Sequence, residues 1–296
     1  MIKIIKNKKI AILGSSPVMI ILFYLLKLKN EVVLFEENKI LGGAWKLQKY
    51  KNSFINLHSN VVLPSSNKEY TRQKEINTLL KKKIGIKIKR SKKKIFALYK
   101  PQKYFEYDFN RIYQKILKNS HYIVKDKIRK ITLLENNKIK VNKDKVFDIV
   151  FFPSYFGINH FYNKKKKINI DFKLIESLHL SVITNNINQK LIYSDFYNNY
   201  FDRIDIHKHK NFFHITARIS KQLKTLKLKK IKEKFIESFP KIVIKKLFIN
   251  RYKNYYRDQH QLNDLKTKLN KNKIIYINTT SFIAGICQLI NLLRKY

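Results

Sequence analysis

Cysteine, glycine and proline are all scarce in this chain of 296 residues. The single cysteine, Cys287, excludes an internal disulfide framework and a zinc site built from several cysteines, and it indicates a reducing compartment. Six glycines and five prolines are far fewer than average usage would give, which excludes collagenous and linker-rich architectures. Hydrophobic residues make up 44% of the chain, which is enough for a sizeable core in a globular unit of two lobes.

Arginine is also scarce, because the 64 basic residues comprise 55 lysines and only 9 arginines. The formal net charge of +44 invites a nucleic-acid interpretation. Arginine, however, is the residue that clamps phosphates and reads base edges with two parallel hydrogen bonds. The enriched residue types have codons rich in A and T, so the lysine runs indicate drift in an AT-rich genome and solvated faces. We therefore predict no specific nucleic-acid partner and keep a basic nucleic-acid binder as a third function class.

The amino terminus lacks a complete targeting or membrane-spanning signal. Four lysines in residues 1–9 precede an apolar stretch, residues 10–28, as they would in a signal peptide. A turn at residues 14–17 interrupts that stretch, and the uninterrupted part, residues 18–26, is too short to cross a bilayer. The expectation is a cytoplasmic protein without stable membrane insertion.

Residues 9–37 have the pattern of a strand, a turn, a buried helix and a second strand. Residues 9–13 and 31–35 are short apolar runs, and residues 18–29 between them are long enough for a helix that ends at Asn30. This pattern is typical of a βαβ unit. The alternative is an ordinary βαβ unit in which the turn glycine has no ligand.

The turn of this unit has residues suited to binding a dinucleotide. Gly14, Ser15, Ser16 and Pro17 precede the helix, whose amino terminus would offer free N–H groups to a diphosphate. Glu36 ends the second strand, 22 positions after Gly14, where an acid accepts ribose hydroxyls. The usual second and third glycines are replaced by Ser16 and by a methionine at position 19.

A glycine pair, Gly42 and Gly43, follows Glu36 after five intervening residues. This spacing resembles the acid-x5-Gly-Gly signature of the large FAD-binding oxidoreductase superfamily, which includes amine oxidases, protoporphyrinogen oxidase and UDP-galactopyranose mutase. The resemblance implies FAD as the cofactor, with the glycine pair packed against the diphosphate and flavin. It also assigns Glu37 and Trp45 to the cofactor site, although a core position for the tryptophan is equally consistent with the sequence.

The end of the chain also resembles this superfamily. Residues 273–293 read as a strand, a polar turn and an apolar helix that contains Gly285. In the superfamily the amino end of this helix faces the flavin and ribityl chain. The usual Gly-Asp of the turn is replaced here by Asn278-Thr279-Thr280. The resemblance further implies that a residue near Ile128 contacts the adenine.

The predicted fold class is α/β, an FAD/NAD(P)-binding Rossmann-like domain with an inserted α+β substrate lobe. Residues 1–55, 118–157 and 270–296 would assemble the dinucleotide-binding domain, and residues 56–117 and 158–269 the lobe. Residues 121–153 read as short alternating strands, and residues 221–249 read as helical with a stop at Pro240.

One segment of the lobe resembles UDP-galactopyranose mutase in particular. Residues 200–209 are similar to a Tyr-Thr-Arg-Ile segment of that mutase and its trailing basic residues, and residues 64–69 stand at a second matching stretch. If the mutase resemblance holds, a nucleotide sugar would need basic side chains to clamp its diphosphate. Arg203 and Arg218 are the predicted substrate-binding residues, because arginine is scarce here; surface or structural ion pairs are the alternative for both.

The predicted function is that of an FAD-dependent oxidoreductase or a UDP-galactopyranose mutase-like flavoenzyme acting on a small polar or nucleotide-sugar substrate. The cofactor carries the hard chemistry in such enzymes, so no catalytic residue is assigned. His207 and His209 are spaced by two without an evident partner acid or cysteine, and no metal is predicted. The competing class is a degenerate, non-catalytic nucleotide-binding or scaffold protein.

Overall fold

A computed structural model gives the positions of most of the chain. It describes residues 5–58, 61–62, 71, 73–74, 77–78, 80–82, 85, 88–90, 95–97, 100–102, 105–107, 109–118, 120–153, 160–168, 173–187, 193–195, 198–220, 225–256, 273–277, 279 and 282–295. The predicted mutase-like stretch 64–69 and two residues of the polar turn, Asn278 and Thr280, lie outside the described residues.

The strands in chain order are β1 (Lys9–Leu13), β2 (Glu31–Phe35), β3 (Leu47–Tyr50), β4 (Ser53–Asn56), β5 (Val61–Val62), β6 (Ile88–Arg90), β7 (Ile95–Ala97), β8 (Lys100–Gln102), β9 (Phe105–Tyr107), β10 (Ile123–Val124), β11 (Lys130–Leu133), β12 (Ile139–Val141), β13 (Lys145–Phe147), β14 (Ile149–Pro153), β15 (His160–Asn163), β16 (Lys166–Ile168), β17 (Lys173–Thr184), β18 (Tyr193–Asp195), β19 (Phe201–Lys208), β20 (Phe213–Ile219), β21 (Ile244–Tyr256) and β22 (Ile274–Ile277). The helices are α1 (Pro17–Leu26), α2 (Phe109–Leu117), α3 (Leu228–Ser238) and α4 (Phe282–Lys295), with 3-10 turns at Gly43–Trp45 and Ser120–Tyr122.

A five-stranded parallel sheet is the centre of one of the two parts of the molecule. Its strand order is β10-β2-β1-β14-β22, and every neighbouring pair is parallel. This is the order of a doubly wound dinucleotide-binding fold, in which ligands bind at the carboxyl ends of the strands. Its strands come from three separate stretches of the chain, residues 9–35, 123–153 and 274–277.

The first βαβ unit is confirmed, with a helix shorter than the predicted residues 18–29. Helix α1 begins at Pro17 and ends at Leu26. The Asn30 side-chain amide donates hydrogen bonds to the carbonyl oxygens of Leu26 at 2.9 Å and Ile5 at 2.7 Å. The Asn30 side chain, which lies beyond the helix, therefore satisfies a carbonyl group at the helix end. The chain enters β2 directly after it.

Helix α1 is buried on nearly all sides, which explains its continuous apolar sequence. It packs on the parallel sheet, and helices α2 and α4 pack against it. Each such fully buried aliphatic or aromatic side chain contributes about 1.5–3 kcal/mol. The other face of the sheet is covered by the sheet β13-β12-β11-β15-β16. No helix among the described residues is long and apolar enough to span a membrane.

The other part of the molecule is organised around an antiparallel sheet, β18-β19-β20-β17-β21, which we call the lobe sheet. Helix α3 covers one of its faces with Ile231 and Phe235. The prediction that residues 221–249 are helical is wrong beyond α3, because β21 begins at Ile244. The long antiparallel pairing of β21 with β17 outweighs the helical tendency of this lysine-rich segment.

Candidate functional site

The first turn and the start of α1 leave backbone donors at the carboxyl edge of the parallel sheet. Gly14 has a φ of 78°, and its N–H donates to the Phe35 carbonyl oxygen at 2.7 Å, which joins β1 to the end of β2. The first hydrogen bond of α1 runs from the Ile20 N–H to the Ser16 carbonyl at 3.0 Å. The N–H groups before it are the positive end of the helix dipole, which favours an anionic ligand.

Glu36 lies at the same edge and is only 3% exposed. Its Oε2 accepts hydrogen bonds from the Ser15 N–H at 3.1 Å and from the Ser15 hydroxyl. Its Oε1 accepts from the N–H and the side-chain amide of Asn38, at 2.9 and 2.8 Å. A carboxylate has about four acceptor positions, so these four donors satisfy it. The Asn38 amide belongs to an exposed side chain.

The Ser15 hydroxyl joins the two glycine-containing turns. Besides donating to Glu36, its oxygen accepts a hydrogen bond from the Gly42 N–H at 2.7 Å. Behind it, the Tyr113 hydroxyl donates to the Ser15 carbonyl oxygen at 3.1 Å. Burial raises the pKa of Tyr113 well above its usual value, and the nearby Glu36 carboxylate adds to this, so the phenol stays protonated and donates. The two turns are therefore adjacent, as binding of one ligand across both would require.

The two glycines of the pair have different surroundings. Gly42 has a φ of 116°, and a Cβ built on it would lie 2.7 Å from the Trp45 carbonyl oxygen. Gly43 has a φ of 55°, and a Cβ there would meet nothing within 4 Å. Gly42 is thus required by the turn itself, whereas Gly43 opens onto space that a ligand can fill.

Ser16, which replaces the second glycine of the usual motif, has a buried hydroxyl oxygen with no hydrogen-bond partner. The residue precedes α1 in an extended conformation, and its side chain does not cap the helix. Buried polar atoms in native proteins nearly always have a partner. An unsatisfied hydroxyl at a helix amino terminus fits a bound anion such as a diphosphate.

Three other residues assigned to the cofactor from sequence have the following surroundings. Glu37 is exposed, and its carboxylate is 3.9 Å from the Lys127 ammonium. Ile128 is 2% exposed and packs in the core between the parallel sheet and the sheet that covers it. Gly285 is buried in the first turn of α4, which packs against α1.

The face of the lobe sheet opposite α3 is polar and largely buried, and we call it the polar face. Alternate residues of β17, β19, β20 and β21 supply its side chains. Its buried polar members are His179, Ser181, Asp205, His207, His214, Thr216 and Asn250. None of them was predicted from sequence as a site residue, and His207 was considered only for a metal site that was not predicted. The alternation of polar residues and isoleucine in residues 203–207 was a signal of this face.

A group of stacked rings connects the polar face with the segment that follows the glycine pair. The Trp45 ring lies 4.3 Å from the His58 ring, which stacks on the His179 ring at 4.6 Å. The Tyr252 hydroxyl is 2.9 Å from Nε2 of His179. The Asn250 side-chain amide donates to the Ala44 carbonyl oxygen at 2.7 Å. The polar face therefore packs directly against the turn that contains Gly42 and Gly43.

The two arginines predicted to bind substrate lie on this polar face. Arg203 of β19 and Arg218 of β20 are directly opposite each other, and Arg218 is also opposite His179 of β17. The Arg218 Nε lies 3.4 Å from a carboxylate oxygen of Asp202. The structure thus places both arginines on one surface. The ion pair of Arg218 is the kind of interaction given above as the alternative to substrate binding.

His207 and His209 are near a third histidine. The His214 ring is 6.2 Å from the rings of both. Burial lowers the pKa of His214 well below its usual value, and the positive charges of the other two histidines lower it further. Within the described part of the chain, no three His, Cys, Asp or Glu side chains are grouped so that they could hold a metal ion.

Comparisons with known proteins identify the fold. No protein-family model matches the sequence, and no curated protein matches it significantly. In contrast, a protein described as a protoporphyrinogen oxidase from Exiguobacterium sp. 255-15 is similar in structure, with a TM-score of 0.68 and 8% identity over 98% of this chain and 99% of that one. A putrescine oxidase bound to putrescine has a TM-score of 0.65 and 8% identity over 98% of each chain. A reduced UDP-galactopyranose mutase has a TM-score of 0.60 and 9% identity, over 97% of this chain and 95% of that one.

These likenesses confirm the predicted fold class. The chain is an α/β protein with the Rossmann-like fold shared by amine oxidases, protoporphyrinogen oxidase and UDP-galactopyranose mutase. At identities of 8–9% the likeness concerns the fold, and function has to be argued from the site.

Proposed function

We propose that the protein is an FAD-dependent oxidoreductase or mutase-like flavoenzyme that acts on a small molecule. The observation that carries this proposal is the junction of the two glycine turns by the Ser15 hydroxyl, which contacts both Glu36 and the Gly42 N–H. This junction lies at the amino terminus of α1, at the edge where the fold binds its ligands. The similarity to oxidases and to a mutase supports the choice of FAD.

The residues present fit FAD at three places. The buried Ser16 hydroxyl and the first N–H groups of α1 would bind the diphosphate. The open space beside Gly43 would admit the diphosphate and the start of the flavin. Glu36 would hold the ribose in exchange for the Asn38 amide. Bound FAD would supply two-electron chemistry at its isoalloxazine ring.

The remaining predicted residues have supporting roles in the proposal. Ile128 would approach the adenine, Glu37 would lie near the adenosine, and Gly285 would permit close approach at the amino end of α4. Trp45, which stacks on His58, would flank the flavin. Arg203 and Arg218 of the polar face would bind the substrate, a small polar molecule or a nucleotide sugar.

A non-catalytic nucleotide-binding or scaffold protein is the second candidate, and one observation favours it. The Glu36 carboxylate is already satisfied by four protein donors. A site of this kind is stable without a ribose, so the fold does not depend on a nucleotide. Purification separates the two candidates, since a flavoenzyme would retain flavin or take it up with a defined stoichiometry.

Substitution of Gly43 tests the position of the cofactor. Asparagine and aspartate both tolerate the left-handed backbone of Gly43 and have nearly the same shape. We expect Gly43→Asp to bind FAD at least about tenfold more weakly than Gly43→Asn, about 1.4 kcal/mol, because its charge would repel the diphosphate. Fluorescence titration with FAD measures both affinities, and thermal melting checks that both variants fold. Equal affinities would place the diphosphate elsewhere.

A further inference from the structure

Large apolar side chains are exposed unevenly over the part of the chain that the structure describes. Seven of them are exposed there, and four of the seven lie in one segment, residues 228–249: Leu228, Ile236, Val243 and Ile249. Single exposed apolar residues are normal on a protein surface, whereas a group of them rimmed by polar residues marks an interaction site. The segment consists of α3, the turn after it and the first part of β21.

Helix α3 has one covered flank beside the side chains that it buries in the lobe core. The Lys234 ammonium of this flank lies 4.9 Å from the centre of the Tyr200 ring. The Ser238 hydroxyl of the same flank accepts a hydrogen bond from the Asn198 side-chain amide at 2.8 Å. The segment 198–200 therefore covers this side of the helix.

The opposite flank of α3 is open to solvent and combines apolar with cationic side chains. Leu228 and Ile236 are eight positions apart, so they lie on the same side of the helix. Lys232 lies between them on that side, and Lys229 lies next to Ile236 by the same geometry. All four side chains are exposed.

Positive charge dominates this part of the lobe, and arginine does not contribute to it. Residues 227–249 contain eight lysines and two glutamates, and residues 219–250 contain no arginine. Glu237 is paired with Lys234 at 2.8 Å, which draws it towards the covered flank. Helical geometry places Glu233 directly opposite the buried side of α3. The open flank itself is therefore free of acidic side chains.

Strand β21 adds a further apolar residue on the same side of the lobe sheet. Ile249 is directly opposite Leu180, which belongs to the core beneath α3, and opposite residues of paired strands share a face. We call Leu228, Ile236 and Ile249, with Lys229 and Lys232, the outer patch. The polar face lies on the other side of the lobe sheet, so a partner on the outer patch leaves the polar face uncovered.

The chemistry of the outer patch favours a lipid surface over another macromolecule. Lysine ammonium groups attract anionic head groups, while exposed leucine and isoleucine side chains can enter the boundary of the acyl chains. Protein interfaces are depleted of lysine. A nucleic-acid backbone offers no apolar counterpart to these side chains, and arginine would be expected to clamp its phosphates.

We propose that the outer patch binds reversibly to the surface of a bilayer that contains anionic phospholipid. The protein would lie on the bilayer without spanning it. Charge and apolar contact act together in such binding, so that neither alone holds the protein firmly. The proposal does not depend on FAD.

Co-sedimentation of the purified full-length chain with lipid vesicles tests this proposal. One set of vesicles is phosphatidylcholine alone, and the other is phosphatidylcholine with phosphatidylserine at about three to one. We expect binding to the mixed vesicles to be at least about tenfold tighter, and to weaken as salt is added.

The apolar part of the outer patch is tested by combining Leu228→Gln with Ile236→Gln, which leaves the net charge unchanged. We expect this variant to bind the mixed vesicles at least about tenfold more weakly than the unmodified chain. Leu28→Gln combined with Val146→Gln is the matched control, because it removes two exposed apolar side chains elsewhere, and it should bind like the unmodified chain. Thermal melting checks folding, and each single substitution at the outer patch, expected to weaken binding about threefold, decides the matter if the double variant does not fold.

The cationic part is tested in the same way. Lys229→Gln combined with Lys232→Gln should weaken vesicle binding more than Lys165→Gln combined with Lys166→Gln, which removes two exposed lysines next to β15. Equal binding by the outer-patch variants and their controls would overturn the proposal, because it would show attraction of the whole basic surface. Failure to sediment with the mixed vesicles would overturn it as well, and self-association lost in the Leu228→Gln variant would then indicate a protein interface instead. All of these measurements are made without FAD, so their failure leaves the proposed function untouched.

Discussion

The edge of the parallel sheet and the polar face of the lobe sheet both contain buried polar groups, but they satisfy them differently. At the edge, Ser15, Glu36, Asn38 and Gly42 form a network in which every acceptor position of the carboxylate is used. On the polar face, Arg218 has a buried donor without a hydrogen bond. The edge is thus fully satisfied by the protein itself, whereas the polar face keeps one buried donor, the Arg218 Nε, without a hydrogen bond.

This difference separates buried polar groups that the fold satisfies from buried polar groups that it leaves without a hydrogen bond. Fully satisfied buried networks rigidify a structure, while an unsatisfied buried polar group has a cost that a ligand can remove. Within the edge, the same contrast recurs between Ser15, which is bonded on both sides, and Ser16, which is not. Substitutions of neighbouring residues can therefore test the distinction closely.

The largest effect is expected at the glycine pair. Gly42→Ala should lower the free energy of unfolding by about 3 kcal/mol, because its φ of 116° and the 2.7 Å approach to the Trp45 carbonyl leave no room for a methyl group. Gly43→Ala should cost only about 1 kcal/mol, the strain of a left-handed alanine in open space. Urea denaturation measures both. Equal losses would mean that Gly43 is as enclosed as Gly42.

The adjacent serines give the next comparison. Ser15→Ala should lower the free energy of unfolding by about 2 kcal/mol, because it removes one of the four donors of the buried Glu36 carboxylate and leaves the Gly42 N–H without this acceptor. Ser16→Ala should change it by less than about 0.5 kcal/mol, since its hydroxyl makes no hydrogen bond. Denaturation of the protein without added nucleotide is the measurement.

Ser16→Ala should affect FAD binding although it hardly affects stability. If the Ser16 hydroxyl binds the diphosphate, Ser16→Ala should weaken FAD binding about fivefold or more while its stability stays unchanged. A Ser16→Ala protein that binds FAD normally but unfolds more easily would reverse our assignment of the two serines.

The edge of the parallel sheet could be predicted from sequence because its parts are close together in the chain. Gly14, Glu36 and the glycine pair lie within 30 positions, and each belongs to a pattern with a physical meaning. The strand–turn–helix–strand order then places them at one edge of a parallel sheet. What the sequence did not reveal is that Ser15 would connect them, since a side-chain hydroxyl has no fixed spacing to its partners.

The polar face was mostly missed because its residues become neighbours only through strand register. His179, Arg218 and Tyr252 come from three strands spread over more than 70 positions, and a shift of one residue would reverse their faces. The start of β21 was also missed, because its lysine-rich sequence predicted a helix. Arg203 and Arg218 were predicted as substrate-binding residues only because arginine is rare and a mutase-like segment surrounds Arg203; that role stays a prediction.

The smallest effect is expected at His214. Protonation of this buried histidine adds a positive charge to the polar face, and the prediction is that this charge lowers the free energy of unfolding. The imidazole lies 3.2 Å from the Ser181 hydroxyl, and burial together with His207 and His209 lowers its pKa well below the usual 6.5. The unfolded chain therefore binds a proton at His214 at a higher pH than the folded chain does. Stability should fall as the pH decreases below about 6.5, by at most about 1.4 kcal/mol per pH unit for this one proton.

Replacing His214 with glutamine, which stays neutral but can still contact Ser181, should flatten this part of the stability profile. Denaturation midpoints between neutral and mildly acidic pH, compared for the two proteins, measure the difference. His121→Gln is a suitable control, because His121 lies in the turn Ser120–Tyr122, away from the polar face. If His214→Gln retained the full acid sensitivity of the parent, the charge-sensitive group would lie elsewhere, and the polar face would tolerate added positive charge better than its paired arginines imply.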